Sequence, residues 1–177
     1  MKLNRKTIEI ILVLILIISV GFLINETRYI NRVEFLTPVA YQGMPILRND
    51  AYGKGHFGAR RNGGRKHAGV DFLADVGTDV MAVRSGWVIN AEFHKGLGNY
   101  VEIRHAGDLI SIYGHLSEIS VKKGQRVYQG QIVGKVGKTG NAKNKAILPH
   151  LHFELRVDNK PIDPMEHLTG CDTPKEQ

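Results

Sequence analysis

Past residue 46, this 177-residue chain contains no window of ten or more residues with a 3.6-residue apolar period. It has instead short runs of alternating or β-branched apolar residues, cut by glycine. Asp79 to Arg84, Trp87 to Phe93, Tyr100 to Arg104 and Leu109 to Tyr113 each read as a strand. So do Val127-Tyr128, Ile132 to Gly134 and Leu151 to Val157, with Ser85-Gly86 and Gly107-Asp108 as turns. Such a pattern cannot build a helix bundle. It predicts an all-β domain over residues 46–168, a compact two-sheet sandwich or barrel-sandwich hybrid. Pro164 to Leu168 is expected to form a single helical turn. Glycine between apolar strand halves, as in VMAVRSGWV and VYQGQIVGKV, also occurs in biotinyl and lipoyl carrier domains. Those carriers need a lysine at a tight hairpin tip in a Met-Lys-Met or Asp-Lys setting, and the chain has none.

The N-terminal region follows a different pattern. Ile8 to Ile24 is apolar or small except for Glu9, and at about 1.5 Å per residue it reaches roughly 25 Å, close to a bilayer core. Lys2, Arg5 and Lys6 precede it, and a positive flank stays in the cytoplasm. A cleaved signal peptide would want a small-x-small site after a shorter apolar region, but Phe22-Leu23-Ile24 carry the run past Ser19-Val20-Gly21. The expected organisation is a basic cytoplasmic flank (1–7), a transmembrane signal anchor (8–24), a linker (25–45), the β domain (46–168) and a C-terminal tail (169–177). This places the domain in the periplasm or outer wall space of a bacterium, with secretion after signal cleavage as the alternative.

Charge and cysteine content narrow the chemistry. The formal net charge is +7, and about +5 remains when Lys2, Arg5, Lys6 and Glu9 are set aside. That balance suits an anionic partner or surface. No basic helix or stacking aromatic cluster is evident, so nucleic acid is not expected, and no small-molecule cofactor motif is visible. Cys171 is the one cysteine, which rules out an internal disulfide or a thiolate metal site and reads as a tail residue. Any metal must be held by histidine and carboxylate.

His150-Leu151-His152-Phe153-Glu154-Leu155 is the sharpest local feature. In a strand, His150, His152 and Glu154 share one face, while Leu151, Phe153 and Leu155 face a core. His67 and Asp71 stand four apart with Gly69 between them and can converge from a bent loop or strand start. His115 follows Tyr113-Gly114 at the end of an expected strand. Catalytic zinc usually has three protein ligands and one open position, and two histidines with one aspartate meet that count. These motifs hold more histidines than zinc needs, so some must act beside the metal. His56 adjoins Phe57-Gly58, whereas His94, His105 and His167 are expected on the surface.

Taken in order, these motifs resemble the LytM/lysostaphin-type zinc metallopeptidases, peptidase family M23. Phe57-Gly58-Ala59-Arg60 is similar to that family's opening Phe-Gly-x-Arg, and HAGVDF to its His-x-x-x-Asp. GNYVEIRH, YGHLS and HLHFEL follow in order, and Lys160 to Pro164 resembles the closing segment. The resemblance covers about residues 55–168. It implies a zinc metalloendopeptidase acting on peptidoglycan, with one Zn2+ held by His67, Asp71 and His152. It also implies His115 and His150 as the catalytic pair. Arg60 and Asn99 are expected near substrate, and Glu154 behind His152 or on the surface. One departure stands out: Asn141 to Pro149, after Thr139-Gly140, is longer and more basic than the family's usual link. Two other readings remain at this point. One is a non-catalytic wall-binding or hydrolase-activating module of the same fold. The other is a zinc protease acting on proteins.

Overall fold

Strand pairing places the histidine motifs side by side. The computed structural model describes residues 4–30 and 35–169; Cys171 lies outside them. The chain divides into two compact units, Met1–Val33 and Glu34–Gln177.

In the first unit, α1 (Arg5–Ile30) contains the apolar run, and its Arg5–Leu23 portion is long and apolar enough to cross a membrane, with mean hydropathy 2.5. Asn4 caps it: its side-chain oxygen accepts from the Thr7 backbone N–H at 2.8 Å and from the Thr7 hydroxyl at 2.9 Å.

The second unit is the expected all-β domain. Its strands are β1 (Asn49–Asp50), β2 (Gly53–Lys54), β3 (Val70–Leu73), β4 (Asp79–Met81), β5 (Gly86–His94) and β6 (Gly98–Arg104). They continue with β7 (Leu109–Ile119), β8 (Arg126–Val127), β9 (Ile132–Val136), β10 (His150–Val157) and β11 (Lys160–Ile162). β1 and β2 form a separate two-stranded ribbon, and the other nine make one antiparallel sheet system. Pro164–Glu166 is the expected helical turn, in 3-10 form, capped by the Asp163 side chain. Of the segment read as a linker, Phe35 and Val39 belong to the core, and Phe35 bridges to Leu168.

β7 joins the layers. Residues 109–114 pair with β10, while residues 116–119 pair with β9. The strand changes partner at His115, whose φ is +63°. A left-handed conformation at a non-glycine residue costs about 1 kcal/mol or more and survives only where surrounding contacts impose it. β10 lies between β3 and β7, so His152 stands opposite Asp71 on one side and Gly114 on the other. Leu151, Phe153 and Leu155 are fully buried on the opposite face, among Val70, Phe72, Tyr113 and Val101. Gly69 admits this packing: a Cβ there would collide with the Phe153 carbonyl.

One surface expectation is overturned. His105 is buried. Its Nδ1–H donates to the Ser85 carbonyl at 3.0 Å, and its Nε2 is 2.8 Å from Ser111 Oγ, which in turn lies 3.0 Å from the buried Tyr113 hydroxyl. These partners let a neutral ring replace its lost hydration within the sheet. Burial lowers the His105 pKa from 6.5 to about 4, outweighing the opposing bond to Ser85. The folded ring therefore binds a proton less readily than the unfolded one, so its contribution is present above pH 6.5 and is lost as pH falls toward 4. His105→Gln, which cannot take that proton, should show a shallower fall in Tm between pH 6.5 and 4 than the parent chain. Equal slopes would exclude His105 as a source of the acid loss.

Candidate metal centre

Three donor atoms converge at the head of β10. Asp71 Oδ1 is 3.0 Å from His67 Nε2 and 2.9 Å from His152 Nδ1, and the two nitrogens are 3.1 Å apart. All three residues are buried. Bonds of about 2.0–2.1 Å to a tetrahedral ion would put donors roughly 3.3 Å apart, so a small adjustment accommodates zinc. His67, Asp71 and His152 form a cluster able to hold a metal.

The far side of each histidine donor is also fixed. His67 Nδ1–H donates to the His56 carbonyl at 2.9 Å, and His152 Nε2–H donates to Glu154 Oε1 at 2.9 Å. Each bond fixes one ring proton on the side away from the centre, so displacing the protons that lie between these rings and Asp71 would leave the converging nitrogens with their lone pairs. Glu154 is buried rather than a surface carboxylate, and its other oxygen accepts from Arg156 Nε at 2.8 Å. Burial alone would raise the Glu154 pKa, but the bonds to His152 and Arg156 hold it below the ordinary value.

Asp71 is anchored from behind. Its Oδ2 accepts from Arg48 Nη2 at 3.0 Å and Arg61 Nη2 at 2.8 Å. That leaves Oδ1 to face the histidines. Burial alone would raise the Asp71 pKa, but hydrogen bonds with His152 and His67 hold it well below the usual carboxylate range. Arg48 also pairs with Asp50 Oδ1 at 2.7 Å. Arg48→Met leaves both carboxylates without this buried partner. It should lower stability by about 3 kcal/mol, measured by denaturant unfolding. A loss below about 0.5 kcal/mol would mean that Arg61 alone satisfies Asp71.

His115 and His150 lie on the remaining side. Their ring centroids are 4.9 Å apart, and the His115 ring is 5.7 Å from that of His152. His115 Nδ1–H donates to the Thr139 carbonyl at 2.9 Å, and His150 Nδ1–H to the Leu148 carbonyl at 2.7 Å. His150 Nε2 is 3.9 Å from Asp71 Oδ1. Burial is the main cause lowering both pKa values, that of His115 to about 3, so both rings are neutral at pH 7. The Asn141 to Pro149 link thus supplies one of the two carbonyls that orient these rings, that of Leu148, and follows directly on the turn that supplies the other, that of Thr139. A 3-10 turn at Gly140–Lys143 packs it against β6, where Gly98 and Gly140 approach too closely for a Cβ on either.

The structure brings His67, Asp71, His152, His115, His150 and Glu154 together. Arg60 is exposed and bridges through its backbone to Lys66. Asn99 is half-buried; its side-chain N–H donates to the Leu116 carbonyl at 3.1 Å, bracing β6 against β7. His56 enters through its carbonyl. Arg48, Arg61, Thr139 and Leu148 were not expected from the sequence. Arg61 had a weak signal in its neighbour Arg60, and the other three had none.

The family profile described as Peptidase family M23 matches residues 65–164. Peptidoglycan DD-endopeptidase ShyA of Vibrio cholerae is 42% identical over 100 residues, which is 56% of this chain and 22% of ShyA. A zinc containing peptidase from Vibrio cholerae has 33% identity and a TM-score of 0.60, covering 79% of this chain and 40% of that one. The catalytic domain of the antimicrobial peptidase lysostaphin from Staphylococcus simulans has 37% identity and a TM-score of 0.56, over 67% of this chain and 90% of that one. This chain spans about a fifth of the length of ShyA and of the related ShyC and ShyB.

Proposed function

The chain belongs to peptidase family M23, and on that premise we propose that it is a zinc-dependent endopeptidase hydrolysing peptide cross-links or stem peptides of bacterial peptidoglycan. The observation that carries this reading is the convergence of one carboxylate oxygen and two imidazole nitrogens, each held by a partner on its far side. His67, Asp71 and His152 would hold the ion, leaving a position open for reacting groups. Zinc bound there supplies a water acidic enough to ionise near neutral pH and polarises the scissile carbonyl.

The chain's own residues supply the proton handling. His115 and His150 have each committed Nδ1–H to a backbone carbonyl and are neutral, so each offers an Nε2 lone pair beside the donor cluster. One ring takes the proton released by the attacking water, and a protonated ring can donate to oxyanion or leaving amine. Glu154 holds the His152 ring in register.

Peptidoglycan as substrate is supported by the likeness to ShyA and by α1. As an uncleaved anchor with its basic end inside, α1 would present the domain to the wall. The full chain in non-ionic detergent should clear peptidoglycan in a zymogram, and a chelator should abolish clearing until zinc is restored. Clearing that persists in the metal-depleted chain would refute the reading.

A further inference from the structure

Net charge is distributed very unevenly in this molecule. Residues 51–70 hold Lys54, Arg60, Arg61, Arg65 and Lys66, and residues 136–149 hold Lys138, Lys143 and Lys145. Neither segment contains an Asp or Glu. Together they carry eight of the 24 Lys and Arg and none of the 17 Asp and Glu, so the remaining 16 cations and 17 acids nearly cancel. The chain's positive charge therefore resides in these two segments.

Both segments flank the donor cluster. In the first, His67 N–H bonds to the Ala59 carbonyl, Gly58 N–H to the His67 carbonyl, and Arg61 N–H to the Arg65 carbonyl. This makes a hairpin that ends on a candidate ligand and carries the basic residues on its arms and tip. In the second, the Thr139 and Leu148 carbonyls fix His115 and His150, and Lys143 and Lys145 lie between these anchor points. Lys54, Arg60, Arg65, Lys66, Lys143 and Lys145 are exposed, and none of them makes an ion pair among the described residues. Arg61 spends Nη2 on Asp71, while its Nη1 is buried without an acceptor among the described residues.

Like charges gathered on both sides of a buried centre repel one another and lower stability unless an anion comes between them. We infer that the two basic segments select a peptide bearing free carboxylates next to the bond that is cut, and disfavour an uncharged oligoglycine bridge. The inference rests on the hydrolytic reading above and adds the substrate's charge to it. Cations beside a site raise the local concentration of an anionic peptide and its rate of encounter, and salt weakens the effect.

The test uses the zinc-loaded full chain in non-ionic detergent with three probes: a cross-linked muropeptide dimer with free carboxylates, the same dimer with those groups converted to carboxamides, and pentaglycine capped as its N-acetyl amide. The expected kcat/KM favours the carboxylate dimer over the carboxamide dimer by about tenfold or more at low ionic strength, shrinking severalfold in 0.5 M NaCl. In Lys143→Glu/Lys145→Glu, and separately in Arg65→Glu/Lys66→Glu, the ratio should fall severalfold, while circular dichroism shows the fold retained. Equal rates on the two dimers, or faster cleavage of pentaglycine, would overturn the inference and leave the hydrolytic reading standing. Cleavage of no probe would overturn both. Charge-sensitive binding to phosphatidylglycerol vesicles without carboxylate discrimination would reassign the basic segments to a lipid surface and overturn the inference.

Discussion

His115→Ala should keep the metal and lose about 10²- to 10⁴-fold in kcat. The ring lies beside the donor cluster without belonging to it: its Nδ1–H is committed to Thr139, and its centroid is 5.7 Å from that of His152. Truncation leaves His67, Asp71 and His152 with all their anchors. Zinc content by mass spectrometry under native conditions should stay at one per chain. His115 also holds a left-handed φ of +63°, which alanine adopts no more easily. His115→Asn separates the two effects, because asparagine tolerates that conformation but cannot serve as the base. A similar loss in both variants assigns the effect to proton transfer. Full activity in the asparagine variant would assign it to the backbone.

His152→Ala should lose both metal and activity. Removing one of three protein donors leaves a pair that competes poorly with water. Losing the metal's stabilisation of developing charge is worth several kcal/mol, about 10³-fold or more in rate. Asp71 remains paired with Arg48 and Arg61 in this variant, so folding should survive. Asp71→Ala differs: it leaves the Arg61 guanidinium without its carboxylate and Arg48 with Asp50 alone, and should cost about 3–5 kcal/mol in addition to the metal. The two variants separate metal loss from structural loss. Titration with a zinc-competing chromophoric chelator reads the first, and denaturant unfolding of the metal-free chains reads the second. Tight zinc binding by His152→Ala would contradict the assignment of Nδ1.

The strands that read clearly from the sequence were those whose pattern is local. β10 alternates over His150 to Leu155, and its apolar face of Leu151, Phe153 and Leu155 lies in the core as expected. β3 was harder to see, because four residues following a glycine carry little periodicity and owe their conformation to pairing with β10, about 80 positions later. β7 appeared to end at Tyr113. Gly114 and the left-handed His115 look like a terminus, yet the chain continues to Ile119 along a different partner. The anchors of the centre were the least legible. Nothing around Arg48 signals a bond to a carboxylate 23 residues away. Of the adjacent Arg60 and Arg61, only the hairpin's geometry decides that Arg61 turns inward to Asp71. His105 shows the same limit, since its partners Ser85 and Ser111 become neighbours only through the sheet.

The most direct test of the central claim combines metal content with product identity. The full chain, stripped of metal and then given one equivalent of zinc, is incubated with a defined cross-linked peptidoglycan fragment, and the products are read by mass spectrometry. The account predicts no cleavage before zinc is added. With one zinc per chain, it predicts a peptide bond opened with the mass of one added water. Cleavage by the metal-free chain, or a fully loaded chain that leaves every peptide bond intact, would contradict it.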